Sequence, residues 1–209
     1  METIASASED ILIDSLSYKL GNSASYITDR KSVTFWPSGS NIYKTSSGTK
    51  VIKFQLNSEG WLDCSTVVVN FDLHNNDLTA ATFVRPLQGP HSFFRRLRIS
   101  AGGSLIEDID MYNRTHQMFE MLTSSSNRYN SDIEGFGYHS DTIQPDHDHG
   151  ATSLPGVKQG SHQTVGFKLC SGLLNQSRML PLRYMGNLTI ELELVNHKYD
   201  PVVSNHDAV

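Results

Sequence analysis

Cysteine is scarce in this chain, with two thiols, Cys64 and Cys170, among 209 residues. Two cysteines far apart make no disulfide framework, so the fold must rest on its own core. Both read as reduced, structural thiols of a protein that folds inside a cell. Long apolar runs are missing as well. No stretch approaches the roughly 18 to 20 apolar residues that a membrane helix needs. The amino terminus, METIASASEDILID, lacks the basic and apolar regions of a secretory signal. The sequons at Asn113, Asn175 and Asn187 therefore read as chance matches. A basic arm is the third absence. Net charge is −5, and the first thirty residues set Glu2, Glu9, Asp10, Asp14 and Asp29 against Lys19 and Arg30. Such a terminus does not neutralise phosphates, so no direct nucleic-acid binding is expected.

Catalytic fingerprints are lacking too. There is no GxSxG elbow and no cysteine in a nucleophile motif. Gly102-Gly103 is not embedded in a phosphate-loop or dinucleotide pattern. We assign no catalytic, cofactor-binding or metal-ligating residue from the sequence; an enzyme is not expected, nor a cofactor.

What the chain has in plenty is alternation and turns. Residues 1–30 form a separate, acidic arm, in which Ile11, Leu12 and Leu16 share one helical face. From residue 31 to 209 we expect one domain. Ser32 to Trp36 is a β-rich run stopped by Pro37-Ser38-Gly39. Ile52, Phe54 and Leu56 alternate with Lys53 and Gln55, and Val67, Val69, Phe71 and Leu73 line one face. Phe93 to Ile99 leads through Ala101-Gly102-Gly103 to Leu105-Ile106, a hairpin signal. Val165, Phe167 and Leu169 form another face. Leu188, Ile190, Leu192 and Leu194 alternate with Thr189, Glu191 and Glu193 in the clearest half-buried strand. One helix interrupts the pattern: Met111, Tyr112, Met118, Phe119, Met121 and Leu122 recur near 3.6-residue spacing, with Asp108 and Asp110 as candidate caps. Residues 123–163 are a polar stretch without apolar period, long enough to imply a functional or partner-packing loop. Short antiparallel strands, frequent turns and one inserted helix predict an all-β sandwich.

Three clusters invite chemistry. Asp146-His147-Asp148-His149 alternates carboxylates and imidazoles, with His139, Asp141 and His162 near in sequence. Neighbouring side chains of an extended segment diverge, so only pairs such as His147 and His149 share an ion, and a solvated loop is the plainer account. Glu107, Asp108 and Asp110 suit the positive end of the following helix better than a cation site. Arg95, Arg96 and Arg98 read as the solvated face of a strand before a phosphate patch.

Three segments, in order, carry a family resemblance. They are Gly89-Pro90-His91-Ser92-Phe93-Phe94-Arg95-Arg96-Leu97-Arg98-Ile99 through Gly102-Gly103 to Leu105–Ile109; Ser171–Gln176 followed by Met179–Met185; and Leu188–Leu194. Together they resemble the double jelly-roll major capsid proteins of double-stranded DNA viruses, of the virophage, Polinton-like and adintovirus-like kinds. The resemblance spans about residues 30–196, and in length the chain looks like the first barrel alone, the second lying on a separate polypeptide or removed by processing. It implies an antiparallel jelly roll with sheets BIDG and CHEF, and a helix from Tyr112-Asn113-Arg114 onward. It also implies a structural role: self-assembly into an icosahedral shell as trimeric capsomers, alongside other capsid proteins such as a penton. The implied location is the virion, after folding in the host cytoplasm or nucleus. The alternative is a lectin-like jelly-roll module that binds carbohydrate through Trp36, Trp61, Tyr129 and Tyr138. A cupin-type metalloenzyme is disfavoured, because the alternating strands turn apolar residues inward.

Overall fold

Alternating side chains need a partner layer, and the chain supplies it by doubling back on itself. The computed structural model describes residues 29–44, 50–76, 78, 82–86, 89–124, 157–196 and 202–206. The chain divides into two compact units, Met1–Thr34 and Phe35–Val209, and every element below belongs to the second. Its strands are β1 (Val51–Leu56), β2 (Trp61–Leu62), β3 (Val68–His74), β4 (Thr82–Pro86), β5 (Phe94–Ala101) and β6 (Ser104–Ile109). After helix α1 (Tyr112–Met121) come β7 (Val157–Lys158), β8 (His162–Lys168), β9 (Leu180–Pro181), β10 (Leu188–Leu194) and β11 (Val202–His206).

Every strand pairing among the described residues is antiparallel, and the pairs are nested: β1 with β10, β2 with β9, β3 with β8, β4 with β7, β5 with β6. Two further pairings, β10 with β5 and β11 with β4, fold this long hairpin over. The main sheet therefore runs β1-β10-β5-β6, and β3-β8 forms a separate ribbon. One apolar core joins them: Phe54, Leu97, Ile99, Leu188, Ile190 and Leu192 of the sheet share a cluster with Val69, Phe71, Leu73 and Phe167 of the ribbon. Phe71 sets its edge against Phe93 and Phe94 with ring centroids 5.8 and 5.6 Å apart. The chain is an all-β sandwich with one short helix among the described residues.

The local causes are visible in the ladder. On β10, Leu188, Ile190, Leu192 and Leu194 are buried while Glu191 and Glu193 face outward, as period-two alternation demands. On β5 the period is broken once. Leu194 pairs with Phe94 but Glu193 with Arg96, so Arg95 has no rung of its own. That bulge lets Phe94 and Leu97 both enter the core although they are three residues apart. The β5–β6 turn holds Gly102 and Gly103 at φ 56° and 85°, the doubly left-handed pair that a two-residue hairpin requires.

Three expectations need correction. Ser32–Trp36 is not a strand; only Pro37 makes a bridge, to Phe54. Proline has no N–H, so the rung is carried onward only by Ser38 N–H to the Lys53 carbonyl, 2.7 Å. The polar stretch does not extend to 163, because β7 begins at Val157 and β8 at His162. Helix α1 forms as predicted, but of its apolar set only Tyr112 is buried. Met118, Phe119, Met121 and Leu122 are exposed. The amino-terminal arm through residue 28 lies outside the described residues.

Candidate functional site

The inner face of α1 is polar. Tyr112, His116 and Glu120 are spaced four apart, so they stack along one side of the helix. Tyr112 is fully buried, and its hydroxyl accepts the Cys170 N–H at 2.9 Å just beyond β8. Burial drives that hydroxyl well above the usual tyrosine range. One turn on, His116 Nε2 lies 3.1 Å from the Lys168 carbonyl, the last residue of β8. A carbonyl only accepts, so Nε2 carries a proton, and in the neutral ring Nδ1 is then the lone-pair nitrogen.

His91 meets this face from the buried 3-10 turn Pro90–Phe93, which feeds β5. Its ring sits 4.2 Å from that of His116, centroid to centroid. Its Nε2 faces Gln117 Oε1 at 3.2 Å, leaving Nδ1 again as the bare nitrogen. Burial first, and then the neighbouring His116, pull the His91 imidazole down to about 4, so it is neutral near pH 7. Both Nδ1 atoms are buried without a hydrogen-bond partner. Both point toward Glu120 Oε1, at 3.5 Å from His91 and 3.3 Å from His116. His91, His116 and Glu120 are thus one group whose ligand atoms all lie within 4.8 Å of one another, and it is the residue set best suited to hold a metal among the described residues. The sequence carried half of this signal in the four-residue spacing of His116 and Glu120 on a predicted helix. His91 is separated from them by the whole β5–β6 hairpin, and no spacing rule reaches it.

The sequence-derived candidates fall elsewhere. Asp146, His147, Asp148 and His149, with His139 and Asp141, lie outside the described residues. His162 stacks on His74 across the β3–β8 ribbon, ring centroids 5.1 Å apart. The three acids before α1 do not cap it: the cap position is Met111, in left-handed backbone with no side-chain cap bond. Instead Glu107 clamps the turn at 171–173. It accepts Ser171 Oγ at 2.5 Å, Gly172 N at 2.9 Å and Leu173 N at 3.4 Å. Asp108 takes both prongs of Arg96, at 2.7 and 2.6 Å, and Asp110 lies 3.6 Å from Arg95. Antiparallel register explains the reassignment, since it sets Asp108 directly opposite Arg98.

The same register disposes of the arginine cluster. A row of alternating sign, Lys53, Glu191, Arg98 and Asp108, crosses all four strands of the main sheet. Arginines matched in this way form a solvated, charge-paired strand face. Both cysteines are free, and burial pushes each thiol upward, as expected of structural residues. Trp36 and Trp61 are exposed, whereas Tyr129 and Tyr138 lie outside the described residues. No helix among the described residues is long and apolar enough to cross a membrane. Compared with models of known protein families and with curated proteins, the chain matches none.

Proposed function

We propose that the chain is a structural subunit of a viral capsid, one jelly-roll barrel that assembles with copies of itself into trimeric capsomers of an icosahedral shell. The observation that carries this reading is the nested strand pairing. A jelly roll is a long antiparallel hairpin rolled over on itself. Its B–I, C–H and I–D neighbours have counterparts here in β1–β10, β3–β8 and β10–β5. The counterpart of strand G is β6, which here follows β5 directly through the two-glycine turn.

The surface supports an assembly role. Met118, Phe119, Met121 and Leu122 form an outward stripe on α1, and Leu105 and Ile106 of β6 are exposed nearby in sequence. Apolar side chains grouped on one element are what subunit contacts bury, and symmetry repeats each contact around a closed assembly. A second barrel on another chain and a penton are further partners of this reading, with the virion as location. No catalytic constellation enters it.

Size-exclusion chromatography with light scattering, followed by negative-stain microscopy, tests the proposal. Trimers or larger assemblies are expected, and Phe119→Ser with Leu122→Ser together shift them toward monomer. A wild-type chain that stays monomeric at every concentration, alone and with a second barrel, sinks the reading. The exposed Trp36 and Trp61 keep a carbohydrate-binding module as the competing account. A glycan array separates the two, since such a module binds sugar as a monomer.

A further inference from the structure

We propose that His91, His116 and Glu120 bind a single zinc-type divalent transition-metal ion, which staples α1 to the turn before β5. An electrostatic conflict lies at the centre of this group. Two imidazole lone pairs and a carboxylate oxygen converge, and no hydrogen bond lies between them. Three acceptors facing one another repel unless something positive sits in their midst. The Nε2 positions are already committed, to the Lys168 carbonyl and to Gln117 Oε1. This is the outer-shell arrangement that fixes the tautomer and aims a histidine ligand at a metal.

Distances fit the ion as well. With bonds of about 2.0–2.1 Å, tetrahedral ligand atoms lie about 3.3 Å apart. The two nitrogen-to-carboxylate separations are 3.5 and 3.3 Å. The ligand atoms of all three residues lie within 4.8 Å of one another, and the two imidazole rings, 4.2 Å apart centroid to centroid and tilted by 32°, turn toward each other to share the ion. Two imidazoles and one carboxylate suit zinc and its neighbours better than calcium or magnesium, which favour oxygen. The histidine side chains are 0% and 9% exposed and Glu120 is 21% exposed, so solvent reaches the site from the Glu120 side. That side is where a water would complete four-coordination.

The ion's place in the fold gives it a role. It joins the turn before β5 to the last two turns of α1, and the apolar stripe lies on the opposite side of the same helix. A metal here holds the helix at a defined angle to the sheet. The proposal stands independently of the capsid reading.

Isothermal titration of the untagged, chelator-treated full chain with zinc chloride tests it. One equivalent is expected, with the thermal midpoint raised in step. Glu120→Gln keeps the shape of the side chain and removes its charge, and it weakens binding by about 100-fold or more, as does His116→Ala. His147→Ala with His149→Ala leaves binding unchanged. Circular dichroism establishes that each variant is folded. The idea is overturned if the folded wild type takes up no zinc, leaving protons alone to reconcile the three groups. It is equally overturned if Glu120→Gln binds as tightly as wild type, or if the His147 and His149 changes abolish binding.

Discussion

The main sheet and helix α1 solve the same problem in opposite ways. In β1-β10-β5-β6 the apolar residues go in and the charges go out, so Leu97, Leu188 and Leu192 are fully buried while Glu191 and Glu193 face solvent. In α1 the polar residues go in: Tyr112 and His116 are buried, and Met118, Met121 and Leu122 are exposed. The difference lies in the receiving surface. The sheet packs on aromatic and aliphatic side chains of the β3–β8 ribbon. The helix packs on the end of β8, where the Lys168 carbonyl meets His116 Nε2 and the Cys170 N–H donates to the Tyr112 hydroxyl. Burying a hydroxyl or an imidazole nitrogen is tolerable when it finds a hydrogen bond, as the Tyr112 hydroxyl and His116 Nε2 do and His116 Nδ1 does not. Amphipathicity therefore reveals a helix's period, while the surface beneath decides which face turns inward.

The contrast is open to test by mutation. Leu192→Ala, at a fully buried position in the centre of the sheet, should cost about 2–5 kcal/mol by urea denaturation, because it removes transfer energy and leaves a cavity. A loss as small as that of a surface change would mean that the sheet is not the core. Tyr112→Phe should cost about 1–3 kcal/mol, since it strands the half-buried Cys170 N–H while leaving the packed ring in place. Were the variant as stable as wild type, the polar seating of α1 would be wrong. Phe119→Ser with Leu122→Ser should change the stability of the isolated chain by no more than about 0.5 kcal/mol each. A large loss there would place the apolar stripe in a core and reverse the comparison.

The smallest effect concerns the outer face of the sheet. Hydrogen bonds from Arg96 hold the Asp108 carboxyl below its ordinary range. A carboxylate depressed in the folded state contributes stability that is complete above its unfolded value. That contribution is lost as pH falls through the folded value. Denaturation midpoints measured from about pH 5 down to about pH 3 should fall less steeply in Asp108→Asn than in wild type. High salt should narrow the difference, because the pair is exposed. Identical slopes in both proteins would remove the pair from the list of contributors.

Much of this was legible beforehand, and the exceptions have causes. Four apolar faces, at 52–56, 67–73, 165–169 and 188–194, appear as strands or strand faces where alternation placed them. The two-glycine hairpin is also where it was expected, because its backbone needs left-handed residues in succession. Ser32–Trp36 misled because β propensity describes a residue's fit to a sheet without supplying a neighbour strand. Glu107, Asp108 and Asp110 misled because acids before a helix suit its dipole, yet the hairpin register offered them arginines and the 171–173 backbone.

By itself the sequence determined the periods: two along the strands, about 3.6 in α1, and left-handed turns where glycine permits them. These are properties of neighbours a few bonds apart, and local sterics and side-chain polarity decide them. The tertiary structure alone decided the strand partners, the face α1 turns inward, and the meeting of His91 with His116 and Glu120. Such contacts depend on where the chain returns after long excursions. Their energy comes from surfaces that do not exist until the sandwich has closed.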